Sequence, residues 1–229
     1  MITENDIIQI VLTKQEVLEC IGKAINEKYL DNLRDRSPNV QFDCKLRGSV
    51  GELAMRKWLT SNGISIQATN IMRDGYNIDI DFLIAGKNLE LKTSLIPDRD
   101  RTLRNVINKR DIKIIRRSDQ SIEQLKGDVH LQIYFKQRTK AKDDWLNKQK
   151  INLKSKDLEY LYSAFRADAY LNTTYFVAWI DKETLVKKIN SIKEDRLRYW
   201  SFNGSLRQFW KCSLKDDCKP PLGLIDFLK

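Results

Sequence analysis

Residues 77–94, N-I-D-I-D-F-L-I-A-G-K-N-L-E-L-K-T-S, contain the pattern that decides the fold of this chain. Apolar and polar residues alternate through 78–82 and again through 89–94, and the sequence A-G-K-N at 85–88 separates the two runs. Period-two alternation on both sides of a turn sequence is typical of a β-hairpin. The stretch therefore predicts two antiparallel strands joined near Gly86.

The predicted hairpin gathers charged side chains. Residues two apart on a strand face the same side, so Glu90 and Lys92 project together, as do Asp79 and Asp81. With the turn near Gly86, Asp81 lies close to Glu90, and two carboxylates share a pocket with an ammonium group. A hydrated Mg²⁺ binds through one or two carboxylates, and a nearby lysine can orient a water. This combination predicts phosphodiester cleavage.

The spacing D-x8-E-L-K from Asp81 to Lys92 resembles the PD-(D/E)xK nuclease superfamily, which includes most type II restriction endonucleases. The resemblance implies an α/β fold with a restriction-endonuclease-like core, a central mixed β-sheet of αβββαβ type flanked by helices. It also implies Mg²⁺, or Mn²⁺ as a substitute, held by Asp81, Glu90 and the Leu91 carbonyl, with Lys92 orienting the attacking water. The family's proline before the aspartate is absent, so Asp79 stays the reserve ligand. The alternative is an E-x-K sequence that is merely solvated.

A further acidic residue precedes the hairpin on a predicted helix. Apolar residues at 50, 53, 54 and 58 form one helical stripe, and Asn62-Gly63 follows as a stop signal. Glu52 lies beside this stripe, where an unpaired carboxylate is costly and a cation or metal is the expected partner. Glu52 resembles the catalytic first-helix acidic residue of many PD-(D/E)xK nucleases, which ligates metal directly or through water. The alternative is a first-turn glutamate that favours the helix dipole.

Composition points to a polyanion as the binding partner. The 229 residues carry a net charge of +10, which attracts phosphates. A basic segment, 97–118, directly follows the second hairpin strand, where arginine can grip phosphate or guanine edges in pairs of hydrogen bonds. The alternative is a solvated run of charge. The candidate DNA-contacting residues are Arg99, Arg101, Arg104, Lys109, Arg110, Lys113, Arg116 and Arg117.

The rest of the chain supplies elements for one domain. Thr13 and Glu16 have capping-box spacing and predict an amphipathic helix over 13–30, while 31–44 is interpreted as a surface connection. The basic run 136–154 is either a second DNA contact or a mobile insertion. Other predictions are a strand over 64–69, buried strands over 128–135 and 173–180, and helices over 157–170 and after Asp181.

We interpret the chain as a single nuclease domain over 1–229, with a catalytic core at about 45–190. The helix 13–30, the basic insertions and the part 193–229 are elaborations of this core. Basic and aromatic residues interleave in 193–229, where they either grip nucleic acid or close a core edge, and Asn203-Gly204 predicts a hairpin turn.

The leading hypothesis is a Mg²⁺-dependent DNA endonuclease of the sequence-specific type II restriction kind, acting on double-stranded DNA as a homodimer. The alternatives are a structure-specific repair or recombination nuclease and a non-catalytic DNA-binding protein.

No run of about 18 apolar residues and no secretory signal is present, which predicts a cytoplasmic protein of prokaryotic or phage type without a membrane partner. Four scattered cysteines predict free thiols, and the single histidine, His130, argues against a Ser-His-Asp triad.

Overall fold

The computed structural model describes residues 1–26, 36–67, 80–117, 120–202 and 207–229. Its strands are β1 (Ile8–Val11), β2 (Phe82–Ile84), β3 (Lys87–Ile96), β4 (Ile115–Arg116), β5 (Val129–Arg138), β6 (Thr173–Asp181), β7 (Tyr199–Ser201) and β8 (Gln208–Trp210). Its helices are α1 (Lys14–Asn26), α2 (Pro38–Ser61), α3 (Leu103–Lys109), α4 (Thr139–Lys148), α5 (Leu158–Ala164), α6 (Ala167–Tyr170), α7 (Lys182–Ser191) and α8 (Gly223–Leu228).

The strands form two sheets, the larger of which confirms the predicted α/β class. Five strands in the order β1-β6-β5-β3-β2 make a mixed sheet in which β3 and β5 are parallel and the other neighbours are antiparallel. The buried strands predicted over 128–135 and 173–180 are β5 and β6. The short edge strand β1 was not predicted from the sequence. A separate three-stranded sheet has the order β4-β8-β7.

The two faces of the larger sheet carry separate hydrophobic cores. Leu89 and Leu91 of β3 enter the first core, together with side chains of α1 and α2. Ile96 enters the second core, which includes apolar side chains of α3 and α7. Because side chains alternate along a strand, Glu90 and Lys92 lie on the side of the second core.

Helix α2 begins earlier than the sequence predicted. The interpretation of 31–44 as a surface connection is wrong from Pro38 onward, because α2 starts there and buries Phe42. A proline fits the first helical position, where the missing N–H would have no intrahelical partner. Asp43 and Arg47 lie one turn apart and form a buried ion pair of 2.8 Å, which further favours the helix.

Hydrogen bonds confirm two predicted helix starts. The Thr13 amide donates to Glu16 Oε2 at 2.6 Å, and the Glu16 amide donates to Thr13 Oγ1 at 3.2 Å, so the capping box before α1 is present. The Thr184 amide donates to Asp181 Oδ1 at 2.8 Å at the start of α7. Residues 27–30 of the predicted first helix lie outside the described residues.

Two predicted elements differ in detail. In the described part of the predicted strand 64–69, Gln67 makes a single antiparallel bridge to Leu83 in place of a regular ladder. The helix predicted over 157–170 is divided into α5 and α6 at Arg166, whose φ of 50° is left-handed and cannot continue an α-helix.

The basic run 136–154 contains the helix α4. Its Trp145 packs against the first core, and Lys142 is buried with its Nζ 3.4 Å from Asp43 Oδ1 of α2. These contacts hold α4 against α2. Near the chain end β7 and β8 pair antiparallel, while the predicted turn Asn203-Gly204 lies outside the described residues.

Candidate active site

The predicted hairpin is formed by β2 and β3, and its turn sets the register. Ala85 and Gly86 have φ angles of 49° and 74°, the left-handed values that a two-residue type I′ turn requires. The turn pairs Phe82 with Leu89. Asp81 directly precedes Phe82, and its backbone and side chain bond to Leu89 and Leu91, the two neighbours of Glu90.

Asp81 is fixed at the open end of the hairpin. Its Oδ2 accepts a hydrogen bond of 2.6 Å from the Leu91 amide, and its own amide donates to the Leu89 carbonyl at 2.8 Å. The N–H and C=O of a strand residue point to the same edge, so the Leu91 carbonyl also faces the Asp81 side of β3. Asp79, the reserve ligand, lies outside the described residues.

Glu90 and Lys92 form an ion pair. Lys92 Nζ lies 2.6 Å from Glu90 Oε1, and His130 Nδ1 lies 2.9 Å from Glu90 Oε2. The parallel pairing of β3 with β5 sets Glu90 beside His130 and Lys92 beside Gln132. We refer to Asp81, Glu90, Leu91 and Lys92 as the hairpin site.

His130 and Gln132 were not predicted from the sequence to belong to the site. Gln132 is fully buried, and its Nε2 donates to the Lys92 carbonyl at 3.0 Å and to Ser94 Oγ at 3.1 Å. The sequence did contain a signal for them: His130 and Gln132 are polar residues two apart in an otherwise apolar strand, so their side chains share one face. The identity of the neighbouring strand required the tertiary structure.

The two carboxylates of the hairpin site have opposite pKa shifts. Burial raises the pKa of Asp81 to about 7, and the negative charges of Glu52 and Glu90 add to the rise. Burial also acts to raise the pKa of Glu90, but the contact with His130 and the charge of Lys92 outweigh it and lower that pKa to about 2. Asp81 is thus a carboxylate whose ionisation a nearby cation would favour.

Glu52 belongs to α2, which packs on the other face of the sheet from Glu90. A Cβ at the preceding residue, Gly51, would lie 2.3 Å from Thr93 Cγ2 and 3.8 Å from Leu91 Cδ2, so α2 approaches β3 closely on the side of the first core. Glu52 Oε2 forms an ion pair of 3.1 Å with Lys23 Nζ of α1. Lys23 is therefore the cationic partner of Glu52. The negative charge of Glu52 also raises the pKa of Asp81.

The donor atoms of the hairpin site suit a hard cation. Among the described residues, no group of three or more His, Cys, Asp or Glu side chains is gathered closely enough to hold a metal. Mg²⁺ needs only one or two carboxylates, however, and keeps several waters. Asp81, with one oxygen fixed by the Leu91 amide and a raised pKa, and the Leu91 carbonyl at the same edge provide such a donor set.

Seven of the eight predicted DNA-contacting residues fall into two groups; the eighth, Lys113, is partly buried, and burial lowers its pKa to about 8. Arg110 and Arg116 already have protein partners: Arg110 Nε lies 2.6 Å from Asp100 Oδ2, and Arg116 Cζ lies 4.4 Å from the centroid of the Tyr199 ring. The segment packs against the second core, on the face of the sheet that carries Glu90. The predicted residues with exposed side chains are Arg99, Arg101, Arg104, Lys109 and Arg117.

Comparison of the chain with protein-family models, with curated proteins and with solved structures gives no match.

In the part of the chain that the structure describes, no helix combines the length and the apolar character needed to cross a bilayer. All four cysteines are free thiols, and three of them, Cys20, Cys212 and Cys218, are buried.

Proposed function

We propose that this protein is a metal-dependent DNA endonuclease of the PD-(D/E)xK kind that uses the hairpin site. The observation that carries the proposal is the hydrogen bond between Asp81 Oδ2 and the Leu91 amide, next to the ion pair of Glu90 and Lys92. It brings two carboxylates, an ammonium group and a carbonyl to one end of the hairpin, the groups that phosphodiester hydrolysis requires.

Each residue of the hairpin site has a distinct role in this proposal. Asp81 and the Leu91 carbonyl would hold Mg²⁺, with Glu90 as a further ligand and Glu52 acting directly or through water. When bound, Mg²⁺ supplies a Lewis acid that offsets charge on the phosphate. The Lys92 ammonium, whose Nζ lies 2.6 Å from Glu90 Oε1, would orient the attacking water.

The proposed substrate is double-stranded DNA. The net charge of +10 and the exposed cations between Arg99 and Arg117 favour a polyanion. A sequence-specific enzyme of the type II restriction kind would cut at one defined site, and we propose a homodimer for cutting both strands of a palindrome. A structure-specific nuclease would cut branched or distorted DNA without a sequence preference.

Cleavage of plasmid DNA tests the proposal. We expect nicking or linearisation with Mg²⁺ or Mn²⁺ and none with EDTA, and loss of cleavage with retained DNA binding in Asp81→Ala, Glu90→Ala and Lys92→Ala. Glu183→Ala, at an exposed position on α7, is the control and should cleave normally. Wild-type cleavage by any two of the three site variants would overturn the site assignment. Mapping the cut ends separates a restriction-type enzyme from a structure-specific one.

A non-catalytic DNA-binding protein is the second candidate. The observation that favours it is that both oxygens of Glu90 are in close contact with cationic or polar groups, Lys92 at 2.6 Å and His130 at 2.9 Å. A glutamate held in this way can serve the stability of the strand alone. DNA binding without cleavage under any divalent metal would support this candidate.

A further inference from the structure

The smaller sheet has an aromatic surface that neither hydrophobic core covers. The rings of Trp200 and Phe209 stack with their centroids 4.8 Å apart and an angle of 20° between their planes. Phe202 meets them edge-on, at 5.0 Å from Trp200 and 5.6 Å from Phe209. In the described part of the chain, none of the three rings belongs to either core; Phe202 is 51% exposed, Trp200 is partly buried and Phe209 is buried beneath them. We refer to these three residues as the aromatic face.

The other side of the same sheet faces inward. Trp210 and the neighbouring Ile114 enter the second core, and the Arg116 guanidinium lies 5.4 Å from the centroid of the Trp210 ring. Because side chains alternate along strands, Trp210 and Phe209 point to opposite sides. The aromatic face is therefore the outer side of a sheet whose inner side is already packed.

Cationic residues flank the aromatic face. Lys113 Nζ lies 6.0 Å from the centroid of the Phe202 ring. Side chains two residues apart along a strand face the same side. If this alternation continues one residue beyond the ends of β4 and β8, the same side as Phe209 also carries Arg117, Arg207 and Lys211. Aromatic rings among cations are the combination that binds nucleic acid, since phosphates attract the cations and bases stack on the rings.

A short chain of hydrogen bonds joins the aromatic face to the hairpin site. The Lys113 amide donates to Gln132 Oε1 at 3.1 Å, and Gln132 Nε2 donates to the Lys92 carbonyl at 3.0 Å. Lys113 thus connects the Lys92 backbone, through Gln132, with the Phe202 ring. The chain of hydrogen bonds passes through the buried Gln132, so it couples the positions of the two features inside the protein.

We propose that the aromatic face is a stacking site for an unpaired base of the DNA that binds at the hairpin site. The inference rests on the proposed function for the identity of the strand. It adds a substrate class, DNA with unpaired bases, and so corresponds to the structure-specific form of the proposed nuclease. The exposed Phe202 ring is the part of the aromatic face that a base can reach, and Trp200 supports it edge-on. The bases of an intact duplex are stacked on one another and do not present their faces to such a surface.

Binding measurements without metal test the stacking site separately from cleavage. We would titrate the protein in EDTA with short labelled DNA of three kinds: a blunt duplex, the same duplex with a bulge of unpaired bases, and its single strand, and follow fluorescence anisotropy. We expect the bulged duplex to bind about tenfold more tightly than the blunt one, the value expected for one stacked base. Equal affinity for the two duplexes would overturn the inference.

Paired substitutions at exposed or partly exposed positions identify the rings responsible. Phe202→Leu and Trp200→Leu should lose the preference for the bulged duplex, whereas Phe202→Tyr and Trp200→Phe should keep it, because only the latter retain an aromatic ring. Leu222→Ala, at a position that is 63% exposed, is the control for loss of an apolar side chain. A preference unchanged in Phe202→Leu and Trp200→Leu, or lost equally in the control, contradicts the stacking site.

The two proposals fail in different ways. A preference for unpaired bases without any cleavage leaves the stacking site in place and overturns the nuclease. Cleavage with equal affinity for blunt and bulged DNA supports the nuclease and overturns the stacking site. Equally tight binding of an acidic peptide in competition with the oligonucleotides would also overturn the inference, because it would show attraction by charge alone.

Discussion

The Asp81 carboxylate and the Leu91 amide are joined by a hydrogen bond of 2.6 Å, which ties the open end of β2 to the middle residue of the E-L-K sequence on β3. The bond fixes Oδ2 of Asp81. It also fixes the distance between Asp81 and the ion pair of Glu90 and Lys92. The hairpin site therefore depends on one backbone amide as much as on its charged side chains.

Removing the charge of Asp81 should change both stability and metal response. Because its folded pKa of about 7 lies above the ordinary value of 3.8, the wild type loses stability as the pH rises from about 3.8 to about 7. We expect Asp81→Asn to be more stable than the metal-free wild type above that pH, by on the order of 1–3 kcal/mol. Thermal unfolding with and without Mg²⁺ should show a metal-induced rise in Tm for the wild type alone. An equal rise in the variant contradicts the role of Asp81.

Two glycines of α2 provide a matched test of the approach of the helix to β3. A Cβ at Gly51 would lie 2.3 Å from Thr93 Cγ2, whereas a Cβ at Gly48 has nothing within 4 Å. We expect Gly51→Ala to destabilise the protein by about 1–3 kcal/mol and to reduce cleavage. Gly48→Ala should instead stabilise it by about 0.5–1 kcal/mol, since alanine favours helix.

Urea denaturation of the two glycine variants measures this difference. Thr93→Ser removes Cγ2 and should recover part of the stability lost in Gly51→Ala, because the clash involves that methyl group. Equal stability of Gly51→Ala and Gly48→Ala would show that α2 tolerates a wider separation from β3.

The buried Asp43 joins α2 to α4 through Arg47 at 2.8 Å and Lys142 at 3.4 Å. We expect Asp43→Ala to cost about 3–5 kcal/mol in the free energy of unfolding, because it leaves two buried cations without their partner. Glu183→Ala is the control, since its ion pair with Lys187 is exposed and should contribute nothing measurable. Chemical denaturation compares them, and an equally small effect of both substitutions refutes the prediction.

Asp181 should stabilise the fold in a pH-dependent way. It caps α7 and lies 2.6 Å from Lys219 Nζ. Burial acts to raise the pKa of Asp181, but Lys219 and the bonds from Thr184 outweigh it and lower that pKa. The contribution is therefore present above the ordinary value of 3.8 and is lost as the pH falls below it.

We expect Asp181→Ala to cost about 1–3 kcal/mol at neutral pH, and less in acid. Asp157→Ala is the matched variant, because Asp157 caps α5 through the Tyr160 amide at 3.0 Å and its loss should cost about 1 kcal/mol. Denaturation curves at neutral and acid pH give both costs. A cost of Asp181→Ala that does not fall in acid contradicts the assignment.

The sequence by itself determined the local elements of this protein. Alternation and the sequence A-G-K-N predicted the hairpin and its turn at Gly86, because a short turn fixes the register of the strands it joins. The capping residues Thr13 and Asp181 predicted helix starts for the same reason, since their hydrogen bonds reach only three residues along the chain.

The tertiary structure alone decided which distant residues surround the hairpin site. The parallel pairing of β3 with β5 sets Glu90 beside His130, forty residues along the chain, and the sequence has no local signal for that pairing. It also decided that Glu52 approaches from the opposite face, and that Arg110 is held by Asp100. Such contacts depend on how all the apolar surfaces are buried together, whereas turns and caps depend on a few neighbouring residues.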